Sequence, residues 1–183
     1  MGRRPCQPAH PGKVDRESGC GPSRGQPSGC LRRPSRETEG FLLSASSLPR
    51  ELIEAYRETH YRVLGYGSLT LLVDQANPEL KEAHRRHQTD CSAFITACNP
   101  FSRNLSDEEN ADRQKRLAVH LRQSEKTFFE GIGQHPMNDW GGEASFLVFG
   151  LSLKDASSLC MRYEQNGFVW SGADAVPQLI LLR

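Results

Sequence analysis

Apolar positions along residues 46–183 recur in two rhythms, one helical and one alternating, and the switches between them mark the elements. Leu48, Leu52, Ala55 and Tyr56 share one helical face after Ser47 and Pro49, a capping residue and a proline suited to a first turn. They predict a helix ending near His60. Tyr61–Tyr66 and Leu69–Asp74 are short apolar runs split by Gly67 and Ser68, the pattern of a β-hairpin. Asn77 and Pro78 start a second helix that reaches about His87. Ser92–Ala97 is a continuous apolar run, predicting a buried strand, and Asn99, Pro100, Phe101 and Ser102 close it as a turn.

Ser106 and Glu109 have capping-box spacing and predict a helix over Asp107–Gln123. Lys126–Glu130 predicts a strand, and the glycine-rich, aperiodic stretch 131–143 a long loop. Ser145–Phe149 is the most apolar run and the expected central strand. Ser152 and Asp155 repeat the capping pattern before a helix with Leu153, Ala156, Cys160 and Tyr163 on one stripe, ended by Gly167. Phe168–Ser171 and Val176–Leu182, joined through Gly172, Ala173 and Asp174, predict a last hairpin. The order α-β-β-α-β-α-β-β-α-β-β predicts an α/β class of α+β character. One mixed β-sheet would be packed by about four helices, in a single domain over 46–183.

Composition changes this picture at the N-terminus. Residues 1–40 hold six of the 11 prolines and seven of the 16 glycines, with eight basic and four acidic side chains. Such a stretch buries too little apolar surface to offset its backbone entropy, so residues 1–45 are expected to form a disordered tail. Phe41, Leu42 and Leu43 are too short an apolar core for a secretory signal. The whole chain carries a net charge of +1, which argues against nucleic-acid binding by bulk charge, and no apolar stretch is long enough for a membrane span. None of the six cysteines forms a C-x-x-C pair, so reduced thiols in a cytoplasmic protein are the expectation. Nothing in the sequence calls for a metal or cofactor, and it specifies neither a partner nor an oligomeric state.

Three clusters of residues carry a resemblance. Ser92–Ala97 leads into Asn99-Pro100-Phe101-Ser102 and Leu105–Asn110; Ser145–Val148 leads into Gly150-Leu151-Ser152; Gln165-Asn166 precedes Val169-Trp170, Gly172-Ala173-Asp174 and a closing Leu-Ile-Leu-Leu-Arg. Together these resemble a bacterial family, the domain of unknown function 3293, over about residues 48–183. Cys98 departs from the pattern, where an aromatic residue is expected, and the tail has no counterpart. The resemblance implies a small bacterial α/β domain and no particular activity.

Candidate chemistry concentrates at the turn after the third strand. Helical spacing puts Asn110 and Arg113 on the inward line of Leu117 and Leu121, close to Asn99 and Ser102. A strand end followed by a helix start is a common ligand position in α/β sheets. Asp107, Glu108, Glu109 and Asp112 would repel a phosphate there, so a neutral or cationic group is the better guest. In the structural alternative, Asn99 shapes a turn, Ser102 satisfies backbone and Arg113 pairs with a carboxylate. His135, Asp139, Trp140, Glu143 and Ser145 offer a possible base and an aromatic wall, or only a plugged core edge and a solvated acid. Gln165, Asn166 and Asp174 read as helix-terminating and turn residues. His84 and His87 sit among Lys81, Arg85 and Arg86, and read as a solvated face rather than a metal site. No P-loop, dinucleotide fingerprint, zincin helix or serine elbow is present, so no reaction type is indicated. Two function classes remain. One is a ligand-binding domain or enzyme with a polar cleft of Asn99, Ser102, Asn110, Arg113, Glu143 and Asn166, which requires Asn99, Arg113 and Glu143 to meet at one pocket. The other is a non-catalytic protein-interaction module, which requires an exposed apolar patch or an unpaired strand edge.

Overall fold

The computed structural model describes residues 46–137 and 141–183. The expected tail, and with it Asp139 and Trp140, lies outside the described residues. The described elements are α1 (Arg50–Glu58), β1 (His60–Val63), β2 (Thr70–Leu71), α2 (Pro78–Arg86), β3 (Ser92–Ile95), a 3-10 turn (Pro100–Ser102), α3 (Asp107–Gln123), β4 (Phe128–Gln134), β5 (Glu143–Phe149), α4 (Leu153–Arg162), β6 (Gly167–Ser171) and β7 (Gln178–Leu181). Their order is the one the hydrophobic pattern predicts.

Strand β5 is apolar on both faces, which requires cover on both. It is the middle strand of a seven-stranded sheet ordered β2-β1-β4-β5-β3-β6-β7. Phe146 and Val148 point to one face, where they join Ala93 and Ile95 of β3, Leu117 and Leu121 of α3, and Ala156, Leu159 and Cys160 of α4. Leu147 and Phe149 point to the other, with Phe94, Val169 and Leu71, under Leu80 and Ala83 of α2. Helix α1 contributes no buried side chain to either cluster.

The sheet is curled, and every neighbouring pair is antiparallel. This corrects the expected mixed sheet, and the reason is topological. A helix between two strands forces parallel pairing only where those strands become neighbours. Helix α2 joins β2 to β3, α3 joins β3 to β4, and α4 joins β5 to β6, and none of these three pairs is adjacent.

Four local expectations also change. Ser47 does not cap α1: Pro49 takes the N-cap position with no side-chain cap bond, and upstream of the helix the Leu48 amide donates to Ser46 Oγ at 3.2 Å. The expected loop after Glu130 is partly strand: β4 continues to Gln134, and Gly131 pairs with both Val63 and Ser145. Gly167 opens β6 rather than ending α4, whose C-terminal turn is made by Glu164 at φ 58°. His84 is buried rather than solvated, at 3% exposure, because it follows Leu80 by one helical turn; its Nε2 is 2.8 Å from Ser92 Oγ. Burial lowers its pKa.

Gly131 is required by close packing. A Cβ there would sit 2.6 Å from the Phe94 ring and 2.9 Å from the Arg62 carbonyl oxygen, which belongs to the neighbouring strand and cannot step aside. Gly131→Ala is therefore expected to destabilise the fold by about 1–3 kcal/mol in chemical denaturation. Gly141→Ala is the control: nothing stands within 4 Å of its Cβ position, and its effect should stay within about 0.5 kcal/mol.

Candidate functional site

The site is built from the corner where the chain leaves β3. Asn99, Phe101 and Ser102 all take left-handed backbone conformations, at φ 46°, 50° and 57°. Each is unfavourable for a side chain with a Cβ, and such residues persist only where neighbours hold them. Here the Asn99 amide donates to Asn110 Oδ1 at 2.8 Å, the Leu105 amide donates to Asn99 Oδ1 at 3.1 Å, and the Phe101 amide donates to the Glu164 carbonyl at 2.7 Å. The capping box of Ser106 and Glu109 fixes the first turn of α3 and so places Asn110. Backbone N–H groups can only donate, which orients both side-chain amides. With its oxygen claimed by Leu105, Asn99 turns Nδ2 to Glu143, donating to Oε1 at 2.6 Å.

Glu143 is the first residue of β5 and points to the face carrying Leu147 and Phe149. There it lines a cavity of about 110 Å³ between the sheet and α1. Phe94, Val169 and Leu179 form the apolar floor, and Leu52, Ala55 and Tyr56 the roof. Burial raises the pKa of Glu143, and the hydrogen bond from Asn99 partly offsets this. Asn99 is the only side chain bonded to this carboxyl among the described residues, and no cation pairs with it. At the other end of the cavity Asn166 Nδ2 donates to Ser102 Oγ at 2.8 Å, and Ser102 Oγ is 3.1 Å from the Tyr56 hydroxyl. Tyr61 donates its hydroxyl to the Tyr56 carbonyl at 2.7 Å, and burial pushes its pKa upward. Asn166 is 5% exposed, and its Oδ1 has no hydrogen-bond partner. Rotating the amide would only exchange which end is left unpaired.

The structure places the sequence-derived residues unequally. Asn99, Ser102, Glu143 and Asn166 line the cavity and Asn110 supports Asn99 from behind, but Arg113 is not in the lining, so the expected meeting of Asn99, Arg113 and Glu143 at one pocket holds only for Asn99 and Glu143. Arg113 instead donates Nε to the Ala97 carbonyl at 2.7 Å and Nη2 to the Tyr163 carbonyl at 2.6 Å, with Nη1 3.4 Å from Glu164 Oε2. It joins the end of β3 to the end of α4. His135 lies at the rim with Nε2 2.9 Å from Glu58 Oε2, and Ser145 donates to the Glu143 carbonyl at 3.1 Å. Asp174 Oδ1 accepts from the Val176 amide at 3.2 Å, a turn role. Tyr56, Tyr61 and Phe94 were not singled out by sequence, where each reads only as an apolar position. Asn99 and Glu143 also border a second, more open hollow beside α3, where Gln114 Oε1 accepts from the Ala97 amide and its Nε2 is buried without a partner.

Two outcomes follow from this geometry. Arg113→Lys and Arg113→Ala should each destabilise the fold by about 2–3 kcal/mol, since a lysine cannot serve two carbonyls and a carboxylate in one plane. Glu143→Gln should raise the melting temperature at neutral pH and leave it nearly unchanged in acid. The sign follows from linkage: the fold holds the Glu143 proton more tightly than the unfolded chain does, so stability is full below the ordinary carboxyl pKa and is lost as pH rises through the folded one. A glutamine carries no such loss.

Among the described residues no helix is long and apolar enough to cross a membrane, and no group of three or more His, Cys, Asp and Glu is placed to hold a metal ion. Cys91, Cys98 and Cys160 are free thiols. No curated protein and no solved structure matches the chain. Residues 95–167 match a family model described as a protein of unknown function, DUF3293. The matched stretch runs from the end of β3 to the first residue of β6 and so carries the corner, α3, Glu143 and Asn166. Through this stretch, about two fifths of its length, the chain is similar to the DUF3293 family.

Proposed function

We propose that the chain is a small-molecule-binding domain whose ligand occupies the cavity beneath α1. Glu143, Asn99, Ser102 and Asn166 meet the ligand there, while Asn110 and Arg113 act as positioning residues. The supporting observation is Glu143 itself. A half-buried carboxyl without a cationic partner among the described residues costs stability and gives the fold little that an apolar residue would not give better. Perturbed acids of this kind gather where a ligand or reaction uses them. The unpaired end of Asn166 is a second such cost in the same cavity. A carboxyl held this way can accept a hydrogen bond or hold a proton against a bound molecule, which is compatible with either binding or acid–base chemistry.

The test is a thermal-shift screen of the full chain against a fragment library, run in parallel with Ala55→Leu. Ala55 lines the roof, and a leucine there adds bulk to the cavity while leaving Glu143, Asn99, Ser102 and Asn166 themselves unchanged. A ligand present at about 100-fold its Kd adds about 2.7 kcal/mol of stability. Hits that stabilise the wild-type chain and lose their effect in Ala55→Leu are the expected result. A library with no hits, or hits indifferent to Ala55→Leu, would overturn the reading.

A further inference from the structure

We infer that the cavity beneath α1 is built for a small organic ammonium ion, with its nitrogen at Glu143 and its hydrocarbon part against Leu52, Phe94 and Val169. This rests on the reading of that cavity as a ligand site and adds the class of ligand.

The charge inventory is the first argument. Among the described residues the cavity lining contains one carboxylate and neither lysine nor arginine. Its single histidine, His135, faces Glu58 across 2.9 Å. The arginines flanking the lining are directed elsewhere: Arg57, beside Tyr56, pairs with Asp74; Arg103, beside Ser102, lies 4.0 Å from Glu164; and Arg113 is held by two backbone carbonyls and Glu164. A phosphate or carboxylate entering the cavity would therefore be buried beside Glu143 with no compensating charge, which is strongly unfavourable. A neutral ligand would leave Glu143 as costly as before. An ammonium ion supplies the missing counter-charge at the place where the carboxyl has an oxygen, Oε2, without a hydrogen-bond partner among the described residues.

The second argument is the aromatic wall. The rings of Tyr61 and Phe94 meet edge to face, their centroids 5.3 Å apart, and both belong to the cavity lining. Aromatic faces attract a desolvated cation and also pack against its hydrocarbon part. The third is geometric. Asn99 Nδ2 holds one carboxyl oxygen, so the other is pre-aimed, and its orientation costs the ligand no ordering of the carboxyl.

Benzylamine, benzyl alcohol and benzoate share one shape and differ in charge, so they isolate the claim. Their affinities are measured by calorimetry on the full chain, on Glu143→Gln and on Ala55→Leu. The expected order is amine over alcohol by about tenfold or more, with no benzoate binding. Glu143→Gln should bring the amine to within about twofold of the alcohol while alcohol binding persists. Ala55→Leu should abolish both. If alcohol or benzoate binds as well as the amine, or the amine keeps its lead in Glu143→Gln, the ligand class is wrong. The same conclusion follows if none of the three binds while the fragment screen still yields hits sensitive to Ala55→Leu. Failure of that screen as well would remove the ligand site itself.

Discussion

Asn99 makes hydrogen bonds to the Leu105 loop, to the start of α3 and, 44 residues on, to the start of β5. Its backbone amide reaches Asn110 on α3, its side-chain oxygen takes the Leu105 amide and the Asn110 amide group, and its side-chain nitrogen holds Glu143 on β5. Each such bond is worth about 1 kcal/mol net, but a buried group left without its partner costs about 1–3 kcal/mol. The network therefore works as a unit. It holds a left-handed residue in place, ties the start of α3 to the end of β3, and fixes the one side chain that bonds the half-buried Glu143 carboxyl among the described residues. The position of Glu143 in the cavity depends on Asn99 being turned one way, and the backbone donor of Leu105 is what turns it.

Costs gather at this corner, though not only there: Ala175, in the second apolar cluster, has φ 56°, and Nδ1 of buried His84 has no partner among the described residues. Three non-glycine residues with positive φ, a carboxyl without a counter-ion and an unpaired amide end lie within or beside one cavity. The opposite face shows the contrast: Leu117, Val148 and Leu121 are at most 1% exposed, between α3 and β5. A fold under selection for stability alone would sooner replace Glu143 with an apolar residue. Local departures from good packing and full hydrogen bonding are expected where a structure does work.

Much of the fold was legible because its signals are local. The capping box at Ser106 and Glu109 gave α3 its bounds, Asn77 and Pro78 opened α2, and the apolar run at Phe146–Phe149 marked the central strand. What was not legible depends on distant partners. Gly131 and Gly133 looked like loop glycines because the reason for Gly131, the ring of Phe94, is brought there only by the sheet. Strand direction could not be read from the order of helices and strands, since it depends on which strands become neighbours. Arg113 was correctly placed on the inward line of α3, yet its line of approach ends at the carbonyls of Ala97 and Tyr163 rather than in the cavity. Sequence periodicity gives the face of a helix, not the depth at which a long side chain stops. Glu143 illustrates the converse. As a loop residue it would be solvated; as the first residue of β5 it points to the face beneath α1 and lines the cavity there.

The position of the cavity follows from how unevenly the second face is covered. Helix α2 places Leu80 and Ala83 against Phe149 and Leu71 and fills that part of the face. The remainder, over Phe94, Ser145 and Val169, is left to α1, a helix of nine residues that buries none of its side chains; Leu52, Ala55 and Tyr56 roof the space without filling it, so a gap remains instead of a packed layer. An apolar gap would be only a defect. Because the strand ends bordering it are also where the chain turns, the residues that solve the turns, Asn99, Ser102 and Asn166, present their polar atoms to the same space. Turn chemistry and incomplete helix cover thus meet at one end of the sheet, and together they make a pocket with a hydrocarbon body and a polar, acidic end.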